Sequence, residues 1–138
     1  MEFTTDNKTI NLQIAREYKS LLKISYQTLS DDDIVLIRKA LDVAIDAHST
    51  QTRKSGRPYI FHPLSVAKIV ASKIGLDAQS IASALLHDVV EDTKYSIVQI
   101  EKIFGSEIAK IVDGLTKISK LKKEKILMRY FILVKTKT

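Results

Sequence analysis

Residues 84–92 read Ala-Leu-Leu-His-Asp-Val-Val-Glu-Asp, and this stretch says most about the fold and the chemistry. On an α-helix each residue advances by about 100°, so taking His87 at zero places Glu91 at about 40°. Asp88 then lies at about 100° and Asp92 at about 140°. The apolar residues of the stretch fall on the opposite side. The spacing predicts a helix with one apolar face and one face of imidazole and carboxylates, provided that it persists to Asp92.

Three carboxylates on one surface repel one another unless solvent or a cation screens them, and a divalent metal would relieve that repulsion. An exposed polar face that includes a histidine is the other interpretation. For a lone His-Asp pair, that second interpretation is the better one, because two-residue motifs match often by chance. The sequence has no cysteine, so any transition-metal site must use nitrogen and oxygen ligands.

Two further features favour the metal interpretation. His62 stands directly before Pro63, which suits the first turn of a helix, although a half-buried histidine or an unusual cap would give the same pattern. Residues 53–57 read Arg-Lys-Ser-Gly-Arg, a loop that could hold phosphate or remain solvated. Together with the acidic helix, they indicate a phosphate-ester hydrolase. His48 differs, because it falls in register with apolar residues and is predicted to be a core or supporting histidine rather than a ligand.

The rest of the chain indicates one all-α domain. Helical periodicity and capping residues such as Ser30 and Asp77 predict six helices, over about 9–25, 31–50, 63–74, 78–90, 96–104 and 106–117. Gly75 is expected to end the third of them, and Gly105 the fifth. Residues 130–134 are β-prone in composition, but no partner strand is recognisable.

Charge and hydropathy argue against nucleic-acid and membrane-spanning functions. The net charge is +6, but eight basic residues and one glutamate between Lys117 and Thr138 give that segment +7 and leave −1 for residues 1–116. A short basic end is more typical of a solvated tail than of a nucleic-acid interface, so nucleic-acid binding is not favoured. No apolar run spans a bilayer, and the N-terminus lacks a secretory pattern, so a cytoplasmic location without membrane contact is expected.

The motifs in combination resemble the hydrolase domain of the RelA/SpoT alarmone family. The similarity covers roughly residues 9–121 and is densest from 47 to 117. It is carried by these segments in order: residues 47–48, 51–56, 58–60, 62–64, 66–67, 84–93, 104–105 and 112–117. The resemblance implies an all-α HD-domain helical bundle. It also implies a metal-dependent 3′-pyrophosphohydrolase of guanosine tetra- and pentaphosphate in the stringent response, which releases GDP or GTP and pyrophosphate.

The resemblance also implies roles for individual residues. His62, His87 and Asp88 match three of the family's metal ligands, and the metal is usually manganese, which suits imidazole and carboxylate donors. Glu91 and Asp92 match the acidic pair that positions and activates the attacking water. The nucleotide-holding loop corresponds to three residues: Arg53, Lys54 and Ser55.

This chain departs from the family pattern near its C-terminal end. A further aspartate ligand is expected from a helix beyond Thr138, and residues 122–138 form a basic segment that is atypical for the family. We therefore expect residues 1–121 to form a partial hydrolase domain, a bundle incomplete at its C-terminus, with a synthetase domain in a longer parent chain as one possibility. Two alternatives stay open: a truncated or degenerate HD module that binds metal or nucleotide without turnover, and an HD phosphohydrolase of other nucleotides.

Overall fold

A computed structural model describes residues 7–73, 77–119 and 132–133, and they confirm the all-α prediction. Within these ranges the only β pairing is an isolated bridge between Thr52 and Pro58. A single 3-10 turn covers Tyr26–Thr28. The α-helices between residues 7 and 119 are α1 (Asn7–Ile24), α2 (Asp31–Ala47), α3 (Phe61–Ala71), α4 (Ala78–Leu86), α5 (Val89–Asp92), α6 (Ile97–Phe104) and α7 (Ser106–Ser119).

Side-chain caps fix the starts of α2 and α4 at the predicted places. The Ser30 hydroxyl accepts a hydrogen bond from the Asp33 amide at 3.1 Å, and the Asp33 carboxylate accepts one from the Ser30 amide at 3.0 Å. Asp77 accepts from the Ser80 amide at the start of α4. Each cap satisfies backbone donors that the first helical turn leaves without partners. At the other end of α6, Gly105 adopts a φ of +95°, which favours glycine and ends the helix there.

Several helix boundaries differ from the sequence prediction. α3 begins at Phe61, so His62 lies inside the first turn rather than before the helix. α2 ends at Ala47 instead of about residue 50, and the His48 amide makes its last helical hydrogen bond, to the Ala44 carbonyl. α3 ends at Ala71 instead of about residue 74, so the helix does not extend to the end expected at Gly75. Gly75 itself, the β-prone run over 130–134 apart from its two described residues, and nearly all of the basic segment 122–138 lie outside the described residues.

α4 forms the centre of the bundle. It packs against α2 and α3 and, on another side, against α7, while α1 covers α3. Nearly every residue of α4 is buried, including the polar Ser80 and Ser83. Its alanines and serines allow neighbouring helices to approach closely, and the larger Leu85 and Leu86 fill the space at its C-terminal end. No helix in the described part of the chain is long and apolar enough to span a membrane.

The helix predicted over about 78–90 is interrupted, so the condition that one helix persists to Asp92 is not met. α4 ends at Leu86, the chain turns at His87 and Asp88, and α5 starts again at Val89. The His87 amide reaches back only to Ala84, a tighter bond than the α-helical one, and Asp88 has φ −97° and ψ −3°. Because this turn lies at the buried end of α4, both side chains are fixed in the interior rather than on an exposed helix face.

Candidate metal centre

Three of the predicted site residues converge at the break between α4 and α5. His62, His87 and Asp88 each offer a ligand atom, and these atoms lie within 4.8 Å of one another. The Asp88 Oδ2 atom is 3.1 Å from His87 Nε2 and 3.5 Å from His62 Nε2. The centroids of the two imidazole rings are 5.4 Å apart. Two imidazoles and a carboxylate at this spacing are a donor set that a divalent transition metal accepts.

The orientation of His87 is fixed by the helix that precedes it. His87 Nδ1 lies 2.6 Å from the Ala84 carbonyl oxygen, which only accepts, so this nitrogen donates a proton. In the neutral imidazole, Nε2 then carries a lone pair directed at the Asp88 carboxylate. A lone pair facing a carboxylate oxygen at 3.1 Å requires a proton or a cation between them. The geometry of His87 therefore fits a metal ligand.

Tyr59 anchors the same carboxylate from the loop before α3. Its hydroxyl donates to Asp88 Oδ2 at 2.6 Å, and its ring lies edge-on to His62 with centroids 5.5 Å apart. Burial, and then the hydrogen bond to Asp88, raise the pKa of Tyr59, so the phenol stays protonated as a donor. Tyr59 therefore holds Asp88 in place and supports the His62 ring.

The Asp88 carboxyl is buried and remains charged. Burial alone raises its pKa, but the hydrogen bond and charge of His87, the Tyr59 hydroxyl and the charge of His62 outweigh it and set the pKa at about 2. A buried carboxylate is costly unless it is paired. These three neighbours, which come from the start of α3 and from the end of α4, provide that pairing.

The acidic pair Glu91 and Asp92 follows on α5. Asp92 is exposed and Glu91 is half-buried. Burial and then the negative charges of Asp88 and Glu91 raise the pKa of Asp92, while His48 and His87 act in the opposite direction. Asp92 therefore lies within electrostatic reach of the cluster, on the side of α5 next to Glu91, and its charged form is disfavoured in the absence of a cation.

Gln51 connects this acidic pair to the loop. Its amide nitrogen donates to the Asp92 carbonyl at 2.6 Å, and its amide oxygen lies 2.7 Å from His48 Nδ1. His48 is buried and its ring centroid is 4.8 Å from that of Tyr59, in agreement with a core position. The other ring nitrogen, Nε2, is also buried and has no hydrogen-bond partner within the described residues.

The predicted nucleotide loop is a tight turn with exposed side chains. The Arg53 amide donates to the Arg57 carbonyl at 2.9 Å, and Gly56 has a φ of +90°, which permits the turn. The Arg53 guanidinium lies 5.7 Å from the centre of the Tyr59 ring, so it is close to the His/Asp cluster. Lys54 is exposed, and the Ser55 hydroxyl accepts from the Arg57 amide. Of the three loop residues, Arg53 is the one that lies over Tyr59, the residue whose hydroxyl donates to Asp88.

Tyr59 and Gln51 have structural roles that the sequence analysis did not assign. Both belong to the segment that resembles the RelA/SpoT family, but the resemblance gave them no contact. Each reaches a residue about 30 or 40 positions further along the chain. The nearest signal was the position of Tyr59, three residues before His62.

The comparisons with known proteins agree with this geometry. A family model described as HD domain matches residues 40–135. The Escherichia coli K12 protein named bifunctional (p)ppGpp synthase/hydrolase SpoT is 45% identical over 105 residues, which are 76% of this chain and 15% of the relative. A Synechocystis protein named probable guanosine-3′,5′-bis(diphosphate) 3′-pyrophosphohydrolase is 53% identical over 85 residues, or 62% of this chain and 11% of the relative.

Another relative has a different name. The Mycobacterium leprae protein named probable GTP pyrophosphokinase is 43% identical over 89 residues, which are 64% of this chain and 11% of the relative. The chain thus spans 15% or less of the length of these relatives.

The Tyr59 hydrogen bond is tested by comparing two tyrosines that both donate to aspartate. Tyr59→Phe should lower the free energy of unfolding of the metal-free protein by about 1 to 3 kcal/mol, because Asp88 loses a donor in a buried setting. Tyr95→Phe removes a similar bond, 2.7 Å long, to the exposed Asp46 and should cost less. Urea unfolding in a chelator measures both. Equal losses would contradict the assigned role of Tyr59.

Because the pKa of Asp92 is raised, neutralising this residue should increase the free energy of unfolding by an amount that depends on pH. A group whose pKa is raised on folding stabilises the protein at low pH and loses that contribution as the pH rises through the folded value. Asp92→Asn should therefore stabilise the metal-free protein at pH 7, and the gain should shrink as the pH falls towards 4. Urea unfolding across this range measures it, with Glu101→Gln on the exposed face of α6 as the control. A destabilised Asp92→Asn protein at pH 7 would refute the electrostatic account.

Proposed function

This chain belongs to the HD domain family, and from that premise we propose that it carries the hydrolytic centre of a guanosine-3′,5′-bis(diphosphate) 3′-pyrophosphohydrolase. The substrates are guanosine tetra- and pentaphosphate, and the products are GDP or GTP and pyrophosphate. The observation that carries the proposal is the convergence of His62, His87 and Asp88 in a chain similar to proteins of that name. The proposed place of action is the bacterial cytoplasm, in the stringent response.

We propose a divalent cation, manganese, as the cofactor of this centre. Two imidazole nitrogens and one carboxylate oxygen suit a first-row divalent ion with remaining positions for water or substrate. When bound, such an ion supplies Lewis-acid chemistry, which stabilises charge on a phosphoryl group and makes water more acidic. The contact of His87 with Ala84 supports this assignment. It places the proton of the neutral imidazole on Nδ1, so the lone pair that can bind a metal is on Nε2.

The acidic pair is proposed to position the attacking water. Asp92 is exposed and lies within electrostatic reach of Asp88, so its carboxylate is accessible beside the cluster. Because its pKa is raised, Asp92 accepts a proton more readily than an ordinary surface aspartate. Glu91 is the neighbouring group that shares this role. The water would then attack the phosphorus at the 3′ position, and the ribose 3′ oxygen with GDP or GTP attached would leave.

The turn at residues 53–55 is proposed to bind the nucleotide. Arg53, Lys54 and Ser55 supply two cations and a hydroxyl on an exposed turn, which suits phosphate oxygens and the face of a purine. The position of Arg53 over the Tyr59 ring supports this assignment, since it places the guanidinium next to the cluster. Neutralising a highly charged substrate lowers the cost of bringing it to a carboxylate-rich site.

A module that binds metal or nucleotide without turnover is the second candidate function. The described residues offer three donor side chains in the cluster, and the resemblance implies a fourth. A site with fewer protein ligands holds its ion less firmly and positions substrate less well. In either case we propose that residues 1–121 are a partial hydrolase domain and that residues 122–138 are a basic segment atypical for the family, with a synthetase domain in a longer parent chain as one possibility.

Metal binding and turnover are tested together on the chain loaded with manganese. The unaltered protein should bind one Mn²⁺ and release pyrophosphate from guanosine tetraphosphate. Asp88→Asn and His62→Ala should each weaken Mn²⁺ binding by more than the roughly 10- to 100-fold that loss of a supporting residue costs, and should abolish turnover. Calorimetric titration with Mn²⁺ and a pyrophosphate assay measure the two effects.

Asp42→Asn is the matched control, because Asp42 is an exposed carboxylate paired with Arg38. It should leave metal binding and turnover unchanged. Metal binding without pyrophosphate release would favour the second candidate, and cleavage of other nucleotides alone would favour a different substrate. Full Mn²⁺ occupancy in Asp88→Asn, with helical content retained, would refute the ligand assignment.

A further inference from the structure

A cleft adjoins the His62 side of the metal centre. It has a volume of about 310 Å³ and opens to solvent. Its walls come from α1, the turn at residues 53–57 and α3, and they are Glu17, Arg53, Arg57, Phe61, His62 and Ser65. His62 therefore has one side towards Asp88 and contributes to the wall of this cleft as well. A ligand in the cleft would be the immediate neighbour of whatever occupies the metal centre.

Two guanidinium groups of this cleft are held against aromatic rings. The Arg57 guanidinium carbon lies 4.1 Å from the centre of the Phe61 ring, and that of Arg53 lies 5.7 Å from the Tyr59 ring. Phe61 is buried, so it is a fixed platform. The hydrogen bond from the Arg53 amide to the Arg57 carbonyl places both side chains at the base of the same turn. A guanidinium stacked by its face keeps its N–H edges available for an anion.

Among the described residues, the positive charge of the cleft is not balanced internally. The acidic residue among the described residues of its wall, Glu17, accepts from Lys68 at 2.5 Å, so its charge is already compensated. Throughout residues 7–73 and 77–119, no carboxylate forms an ion pair with Arg53 or Arg57. Two pre-oriented guanidiniums without a counter-charge attract a doubly charged group, and paired bidentate contacts with phosphate oxygens satisfy both.

We infer that Arg57, with Arg53, forms a subsite for the terminal phosphate of the 3′ diphosphate, the group that leaves as pyrophosphate. The inference rests on the proposed function for its substrate. The reason for choosing this phosphate is position: the cleft shares His62 with the metal centre, and the terminal phosphate is the next group along the chain from the phosphorus that reacts. Arg57 would also stabilise the charge that the departing pyrophosphate retains.

The test uses inorganic pyrophosphate and GDP as separate probes in metal-free buffer, so that chelation of the cofactor does not contribute. Arg57→Ala should weaken pyrophosphate binding by about 10-fold, the loss expected for a charge-assisted contact, and should leave GDP binding unchanged. GDP is the informative comparison because it carries guanosine and a 5′ diphosphate but no 3′ phosphate. Calorimetric titration gives both dissociation constants.

Arg38→Ala is the matched control. Arg38 is exposed, lies 5.8 Å from the Tyr18 ring and lines a different cavity, so its removal changes net charge by the same amount. It should not affect pyrophosphate binding. An equal loss in both variants would show a non-specific charge effect and overturn the inference. The inference would also be overturned if Arg57→Ala weakened GDP and pyrophosphate binding equally, or if the unaltered chain did not bind pyrophosphate.

The outcome is separable from that of the proposed function. If the unaltered chain binds pyrophosphate through Arg57 but does not cleave guanosine tetraphosphate, the subsite stands and the hydrolase proposal fails. If it cleaves guanosine tetraphosphate and Arg57→Ala changes neither pyrophosphate affinity nor turnover, the hydrolase proposal stands and the subsite fails.

Discussion

The rest of the site depends on one buried carboxylate that must keep its charge. Asp88 lies just after the buried end of α4. Its Oδ2 atom accepts a hydrogen bond from the Tyr59 hydroxyl and lies 3.1 Å from His87 Nε2 and 3.5 Å from His62 Nε2. A charged group taken out of water is tolerated only when partners replace its hydration. Tyr59 and His62 lie three residues apart at the start of α3, and His87 lies at the end of α4, so pairing this single oxygen fixes how these two parts of the bundle meet. The same arrangement brings two imidazole nitrogens to one carboxylate.

The break after Leu86 makes that arrangement compatible with a tightly packed core. α4 is buried on all sides, so a helix continuing unchanged would place its carboxylates among apolar side chains. Turning the chain at His87 and Asp88 confines the buried charge to one point and directs α5 outwards, where Asp92 is exposed. The acidic residues that remain close together repel one another in the metal-free protein. This repulsion lowers the stability of the metal-free protein. Losses of this kind are characteristic of functional sites, where residues are arranged for chemistry rather than for the folded state alone.

Local signals in the sequence predicted the helices well because caps and periodicity act within a few residues. Ser30 with Asp33, and Asp77 with Ser80, mark helix starts without reference to the rest of the chain. His62, His87 and Asp88 were predicted as a group, and the structure brings them together. The break at His87, the Tyr59 bond to Asp88 and the Gln51 link to Asp92 were not predicted. Each depends on packing between segments that are distant in sequence, and propensity carries no information about such pairs.

The most direct test of the account is anomalous X-ray diffraction from crystals of the chain equilibrated with Mn²⁺. The account predicts one strong manganese peak within coordination distance of His62 Nε2, His87 Nε2 and Asp88 Oδ2. A map in which the manganese lies elsewhere, for example at the exposed acidic start of α2, with no peak between the two imidazoles, would contradict the central claim.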